Sequence, residues 1–208
     1  MPPQAVHTTP ELDQEYLTRA QDGDKEAFAR IVRHYENMVY SFSFKVCRNR
    51  EYAEETLQDT FVNVYRKLKQ FDGKSKFSTW IYSIVANNCL MKRRRSRLEA
   101  SSVSLDAHGD LEHGPVPEKG GAGVQPLLLS RSGSPLETAI RSELRERLDA
   151  AIQKLPVDFR LVFLLRDIEG RTAAETAKIM NLTIPAVKSR LRRARVFLRE
   201  QLDEYMSS

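Results

Sequence analysis

The sequence predicts an all-α fold of two small helical domains joined by a flexible linker, the second domain containing a helix-turn-helix. Apolar residues recur at helical spacing on both sides of an abrupt shift in composition, and no alternating pattern indicates a strand. Near the C-terminus, two short helical patterns are separated by a tight turn. The length of 208 residues and the hydrophobic content of 41% suit one or two domains with packed cores.

Composition divides the chain into four segments. Residues 1–10 are polar and contain proline, which predicts a disordered N-terminus, and residues 11–97 read as a first helical domain. Residues 98–135 hold six of the nine glycines and four of the nine prolines, which predicts a flexible linker. Residues 136–208 form the second domain. The run Leu127–Leu129 inside the linker is either a docking point or a local apolar turn.

Three helices are expected in the first domain. Asp24 is a candidate N-cap for the first, a second carries its own apolar stripe, and a third begins near Ser78 after a loop over residues 71–76. The predicted core positions are Phe28, Ile31, Val32, Tyr35, Val39, Phe42 and Val46, then Ala53, Leu57, Phe61, Val64 and Leu68, then Phe77, Trp80, Ile81, Ile84 and Val85.

The second domain begins with an apolar stripe that Leu155 and Pro156 end. Asp158 is a candidate cap for the next helix, which Gly170 closes. The stripe consists of Leu136, Ile140, Leu144, Leu148 and Ile152.

The last helix is predicted to start at the N-cap Thr183 and to separate an apolar face from a basic one. No acidic residue occurs between Lys178 and Glu200, whereas an ordinary solvated helix mixes charges of both signs. We therefore favour DNA binding over a merely solvated face. The apolar face holds Ile184, Val187, Leu191, Ala194 and Leu198, and the basic face and its flanks hold Lys188, Ser189, Arg190, Arg192, Arg193 and Arg195.

Charge and cysteine content narrow the functional class. The net charge is only +5, but basic residues cluster at residues 92–97 and again at 188–199, which suggests two contacts with one polyanion. Cys47 and Cys89 lie in apolar helical patterns, so buried free thiols are expected rather than a disulfide or a redox pair. No apolar run approaches the length of a membrane span and no signal peptide is evident, which predicts a cytoplasmic protein without membrane insertion.

The chain lacks the sequence patterns that are typical of an enzyme active site. No glycine-rich phosphate loop or nucleophile–base set is recognisable. We therefore expect no catalytic residue, no metal site and no cofactor. The four histidines show no metal-ligand spacing with the cysteines: His7, His34, His108 and His113.

Three motifs in order carry a family resemblance. The first is the acidic and amide helix face of residues 53–61, and the second is Phe71-Asp72-Gly73 leading to Phe77-Ser78-Thr79-Trp80-Ile81, then Asn87 and the arginine cluster. The third begins at Leu155-Pro156, passes through Arg160, Phe163-Leu164-Leu165-Arg166 and Glu169-Gly170, and continues with Val187-Lys188-Ser189-Arg190-Leu191 and Arg193-Ala194-Arg195. This order resembles the extracytoplasmic-function (ECF, group 4) sigma factors of bacterial RNA polymerase. The resemblance covers about residues 11–97 and 136–205.

The resemblance implies a sigma factor that directs promoter-specific transcription initiation and aids promoter melting. Its expected partners are core RNA polymerase, through the β′ clamp helices and the β flap, promoter DNA and an anti-sigma factor. The residues implied to contact the polymerase are Glu55, Gln58, Asp59, Val62 and Asn63.

Two groups of residues are implied to contact DNA. The residues implied to contact the −10 element are Phe71, Asp72, Gly73, Lys74, Lys76, Asn87, Arg93, Arg94, Arg95 and Arg97. Those implied to contact the −35 element are Lys188, Ser189, Arg192 and Arg193, flanked by Arg190 and Arg195. An unconstrained linker of this length averages roughly 34 Å, less than the roughly 70 Å between the two elements. The free chain should therefore bind promoters weakly.

The alternative is a helix-turn-helix regulator that acts without being a polymerase subunit. Such a protein should carry a ligand pocket, a receiver-type acidic cluster or a dimer interface in its first domain. This chain has an arginine-rich helix after an aromatic loop there instead.

Overall fold

A computed structural model describes residues 14–103 and 135–206, all of whose regular elements are helical. The expectations for residues 1–10 and Leu127–Leu129 lie outside those residues, as does most of the predicted linker. The first domain comprises α1 (Gln14–Gln21), α2 (Lys25–Cys47), α3 (Arg50–Lys67), a 3-10 turn (Leu68–Gln70) and α4 (Phe77–Val103). The second comprises α5 (Pro135–Lys154), α6 (Val157–Phe163), a π-helical turn (Leu164–Ile168), α7 (Ala173–Met180) and α8 (Ile184–Met206).

Side-chain caps set the start of several helices. The Asp24 carboxylate accepts hydrogen bonds from the backbone of Glu26 and Ala27 and caps α2, as predicted. Asn49 caps α3 by accepting from the backbone N–H of Tyr52 at 2.9 Å. Asp158, in contrast, lies in the first turn of α6, whose N-cap is Pro156 without a side-chain bond. The predicted cap is wrong there because the helix begins earlier.

The predicted apolar stripes form most of one continuous core. Ile31, Tyr35, Val39 and Val85 are fully buried in the first domain, and Val187 and Ala194 in the second. Two expectations are wrong. Ile184 is 43% exposed, because it is the first residue of α8 and precedes the turn that enters the core, and Leu144 on α5 is 45% exposed.

Helix α4 begins at Phe77 and runs to Val103, six residues into the segment predicted as linker. Residues 98–103 contain no glycine or proline, and Leu, Glu and Ala among them favour helix. The change to a glycine- and proline-rich composition therefore begins only after α4 has ended.

The two domains pack against each other, a contact that the sequence analysis did not predict. Helix α7 lies against α4, and α6 lies against α2 and α4. The Arg160 guanidinium donates to the Val46 carbonyl at 2.6 Å across this boundary, and Arg48 lies 3.1 Å from the Asp149 carboxylate. Burial, together with the charges of Arg93 and Arg48, lowers the pKa of Arg160 to about 10.

Glu169 is the main polar contact at this boundary. Its carboxylate, only 10% exposed, accepts from Lys45 Nζ at 2.8 Å and from the Tyr82 hydroxyl at 2.7 Å. The Arg171 guanidinium lies 4.7 Å from the centroid of the Tyr82 ring, a cation–π contact. Burial raises the pKa of Tyr82, and the neighbouring Glu169 charge raises it further. The phenol therefore stays a neutral donor to the carboxylate.

Candidate nucleic-acid interface

The exposed face of α8 brings together the four central residues predicted to read the −35 element. Lys188, Ser189, Arg192 and Arg193 are all exposed, while Val187, Leu191, Ala194 and Leu198 on the opposite face are buried. The Thr183 hydroxyl accepts from the backbone N–H of Ala186 at 3.3 Å and caps the helix as predicted. The described residues offer no ion-pair partner to the three cations of this face. Their charges are therefore available to a polyanion.

The two flanking arginines behave differently. Arg195 binds both oxygens of Asp167, at 2.8 Å from Nε and 2.6 Å from Nη2, and so ties α8 to the π-helical turn. Arg190 is partly buried, 4.0 Å from the Asp158 carboxylate. Both arginines contact carboxylates of their own domain, although the Arg195 side chain remains 56% exposed.

Local structure sets both ends of α7, the helix that precedes α8. Thr172 and Glu175 form a capping box at the start of α7, with the carboxylate accepting from the Thr172 backbone N–H at 2.8 Å. Burial raises the pKa of Glu175, but the backbone and side-chain hydrogen bonds from Thr172 outweigh it and lower the pKa overall. Asn181 ends α7 in the left-handed region, with φ of 50°. The capping box and the left-handed Asn181 therefore define where α7 begins and where it ends.

The loop between the 3-10 turn and α4 presents some of its predicted residues and buries another. Gly73 adopts φ of 71°, and Asp72 accepts from the Lys74 backbone N–H and pairs with its ammonium at 2.7 Å. Phe71 is only 8% exposed, with its ring 5.0 Å from Phe77 and 5.4 Å from the half-buried Trp80. Phe71 therefore supports the loop from beneath, and its predicted contact with DNA is not available in this arrangement.

Helix α4 presents the remaining described residues predicted to meet the −10 element. Asn87, Arg93 and Arg94 are exposed, as is Lys76 before the helix. The side chains of Arg95 and Arg97 lie outside the described residues.

Helix α3 presents a mixed acidic and apolar face. Glu55, Gln58 and Asp59 are exposed, and Val62 is 48% exposed, which agrees with its position off the core stripe. Asn63 is partly buried, and its side-chain amide donates to the Asn88 side-chain oxygen at 3.2 Å.

Sequence reasoning missed two kinds of residue near α3. Tyr52 and Tyr65 are exposed aromatics, at 51% and 58%, that the apolar periodicity did not single out. Lys92 was read only as part of a basic cluster, yet its Nζ lies 2.9 Å from the Glu55 carboxylate and 3.5 Å from Asp59. These are ion-pair contacts, because among the described residues Nζ has no partner with hydrogen-bonding geometry.

Two structural features are absent from the residues that the structure describes. No three His, Cys, Asp or Glu side chains within 14–103 and 135–206 are grouped as a metal site would require. Over the part of the chain that the structure describes, no helix has both the length and the apolarity to cross a membrane.

Comparison with known proteins accounts for both domains. Residues 31–99 match the model of sigma-70 region 2, and residues 145–198 match the model of sigma-70 region 4. The RNA polymerase sigma-H factor of Pseudomonas aeruginosa is 31% identical over 193 residues, which cover 90% of this chain and 92% of that protein. The ECF RNA polymerase sigma-E factor of Escherichia coli K12 is 31% identical over 186 residues, covering 88% and 90%.

The chain belongs to the extracytoplasmic-function sigma factors of RNA polymerase. It is therefore a transcription initiation factor that directs promoter-specific initiation, and the regulator alternative is not favoured. The predicted family and the all-α fold of two domains are confirmed.

Solved structures share the fold of this sigma factor. CnrH in complex with the cytosolic domain of CnrY superposes with a TM-score of 0.61 at 22% identity, covering 92% of this chain and 97% of that one. RpoE of Bartonella quintana in complex with the anti-sigma factor NepR gives 0.61 at 20% identity, covering 86% and 98%.

Proposed function

We propose that this sigma factor divides promoter recognition between its two domains. Residues 11–97 bind core polymerase and the −10 element, and residues 136–208 bind the −35 element. The observation that carries the proposal is the pair of separate cationic surfaces, one on the exposed face of α8 and one on α4 at Arg93 and Arg94. Each lies beside polar side chains that can contact base edges.

The α8 surface suits the major groove of a duplex. A helix of this diameter fits the groove, and the guanidinium groups of Arg192 and Arg193 can pair with guanine edges or phosphates. Lys188 and Ser189 complete the reading surface. Arg190 and Arg195 keep the helix in position through Asp158 and Asp167.

The α4 surface suits opened DNA. The Asn87 amide can hydrogen bond to the edge of an unstacked base, and Lys74 and Lys76 are placed for phosphates of the same strand. Gly73 allows the loop backbone to approach that strand closely. Arg93 to Arg97 then hold phosphates next to the melted segment.

The exposed face of α3 is the proposed surface for the β′ clamp helices. Its carboxylates at Glu55 and Asp59 suit a basic partner, which would compete with Lys92 for them, and Val62 supplies an apolar contact. In the second domain, an apolar groove between α5, α6 and α8 is the proposed surface for the β flap. That groove is lined by Leu148, Phe163, Leu198 and Leu202.

The packed arrangement of the two domains is proposed as the resting form of the free protein. A compact chain of this length has a radius of gyration of about 17 Å, which is too small to reach two promoter elements roughly 70 Å apart. Binding a promoter therefore requires the domains to separate. The residues between α4 and α5, at most about 3.6 Å each, are numerous enough to allow it.

An anti-sigma factor is the proposed negative regulator, since the similar RpoE structure is a complex with the anti-sigma factor NepR. Isolation of the protein from its native cell under non-inducing conditions should yield a complex with a protein that is not a polymerase subunit. Recovery of only free and polymerase-bound protein would contradict this. We also propose that the sigma factor acts in the cytoplasm and catalyses no reaction of its own.

In vitro transcription from a pooled genomic library, with core polymerase and sequencing of the 5′ ends, tests the proposal. Discrete starts that share two upstream motifs are expected. The variant Arg192→Ala should relax selection at one position of the upstream motif, by about 10-fold to 100-fold, and leave the downstream motif unchanged. Asn87→Ala should relax selection at one position of the downstream motif and leave the upstream motif unchanged.

The matched control is Arg33→Ala, which removes the same charge from an exposed position on α2. It should leave both motifs intact. If no starts appear although the chain alone binds DNA, the proposed division of promoter recognition is wrong. If Arg192→Ala and Arg33→Ala have equal effects, the assignment of promoter reading to α8 is wrong.

A further inference from the structure

The two cysteines of the chain meet where α2 ends against α4. Cys47 is the last residue of α2 and Cys89 lies in the middle of α4, and their Sγ atoms are 3.8 Å apart. Both thiols are free, as the sequence indicates, but their closeness, which the sequence did not indicate, brings them within reach of each other as a pair. They are the only cysteines in the sequence, so any thiol chemistry of this protein takes place here.

The pair is asymmetric in a way that suits sequential reaction. Cys89 is buried, at 4% exposure, whereas Cys47 is partly exposed to solvent. An oxidant arriving from solvent therefore meets Cys47 first and finds Cys89 directly behind it. This order is the arrangement of an attacking and a resolving cysteine.

Positive charge surrounds the outer thiol. The hydrogen bond with Cys89 lowers the pKa of Cys47, and the charges of Lys92 and Arg160 lower it further, against the opposing effect of burial. The hydrogen bond and burial raise the pKa of Cys89. The thiolate, which is the nucleophile, therefore forms preferentially on the exposed member of the pair.

We propose that Cys47 and Cys89 form a site of reversible oxidation by a small peroxide. The Cys47 thiolate attacks one peroxide oxygen, the O–O bond breaks, and Cys47 becomes a sulfenic acid as hydroxide leaves and takes up a proton. The Cys89 sulfur then attacks the Cys47 sulfur, the S–O bond breaks, and a second water carries away the Cys89 proton. Two thiols are oxidised to one disulfide while one hydrogen peroxide is reduced to two waters.

The distance favours closure of this bond within the domain. The sulfurs need to approach by somewhat less than 2 Å to reach bonding distance, a shift that side-chain rotation and small helix movements can supply. A reducing cytoplasm keeps the resting pair as thiols, so the disulfide would form only under oxidative load. The inference is independent of the roles proposed for α3, α4 and α8 above.

The experiment uses the full-length, reduced protein. It is treated with increasing hydrogen peroxide, quenched with N-ethylmaleimide, and analysed by intact mass and by mapping of the peptides that contain the cysteines. We expect a monomer lighter by about 2 Da than the reduced form, with one disulfide bond joining Cys47 to Cys89. Treatment with dithiothreitol should restore the mass of the reduced form completely.

Two variants separate the roles of the thiols. In Cys89→Ser, oxidation should stop at a sulfenic acid on Cys47, because the resolving sulfur is missing. Dimedone should trap that sulfenic acid. Cys47→Ser should react at least about tenfold more slowly with peroxide, since the remaining thiol is buried and its pKa is raised.

Three results would overturn the proposal. One is full alkylation of both thiols in the wild type after exposure to millimolar peroxide. Another is a disulfide that joins two chains instead of closing within one. The third is oxidation of Cys47→Ser at the rate of the wild type. The wild-type measurement stands even if a variant folds poorly.

Discussion

Replacing Glu169 with glutamine should loosen the contact between the two domains and strengthen binding to core polymerase. The carboxylate accepts from Lys45 at 2.8 Å and from Tyr82 at 2.7 Å at a position that is 10% exposed. The amide keeps the size of the side chain but removes its charge and one acceptor oxygen. The change therefore weakens both bonds without opening a cavity.

The magnitude follows from those two bonds. A hydrogen bond to a charged group contributes about 1.5–3 kcal/mol and a neutral one about 0.5–1.5 kcal/mol. Because the Lys45 ammonium is 31% exposed and water can replace its partner, we take a total loss of about 2 kcal/mol. That free energy corresponds to about a 30-fold larger ratio of separated to packed domains.

The assay is the affinity for core polymerase, measured by competition with a labelled wild-type chain. If only the separated form binds, a larger separated fraction lowers the apparent Kd, by up to about 30-fold while the packed form predominates. Small-angle scattering should show a radius of gyration above the value of about 17 Å expected for a compact chain.

The control for Glu169→Gln is Glu15→Gln. This change removes the same charge from an exposed pair with Arg19 at 3.6 Å on α1, away from the boundary between the domains. The control should bind polymerase like the wild type. An affinity of Glu169→Gln equal to or weaker than that of the wild type, with a normal control, would refute the idea that domain packing competes with polymerase binding.

Three further predictions concern stability, each measured by urea unfolding. The lowered pKa of Glu175 contributes stability above its unfolded pKa of about 4.3 and loses it as the pH falls through the folded value, so wild type and Glu175→Gln should converge between pH 7 and about pH 3. Divergence on acidification would contradict this. At Asn181, Gly should be tolerated while Ala costs about 1 kcal/mol, because φ is 50°; equal stabilities would refute the argument from φ. Oxidation of Cys47 and Cys89 should raise the free energy of unfolding by about 2–4 kcal/mol, and a decrease would indicate a strained bond.

Features that depend on local periodicity were predictable from the sequence. The stripe from Ile31 to Val46, the caps at Asp24 and Thr183, and the exposed residues of α8 all follow from spacing and side-chain chemistry within one helix. Such signals need only neighbours a few residues away, which the sequence displays directly.

Features that depend on tertiary contacts were not predictable. No spacing pattern in the sequence pairs Arg160 or Glu169 with a distant residue, yet their partners Val46 and Lys45 lie 114 and 124 residues away. Phe71 borders a loop suited to DNA, and only the positions of Phe77 and Trp80 show that its ring is taken into the core. Without a spacing rule for such contacts, a sequence cannot separate a buried charge from a solvated one.

Lys92 links two parts of the first domain that have separate roles. Its ammonium lies at the carboxylates of α3 that are proposed to meet polymerase, and its charge acts on the Cys47 thiol. Thermodynamic reciprocity then constrains both equilibria: the factor by which disulfide formation changes polymerase affinity is the factor by which polymerase changes disulfide formation. For a two-electron couple, each tenfold factor shifts the reduction potential by about 30 mV. Polymerase-bound and free sigma factor would then differ in reduction potential, and comparing the two measures the coupling.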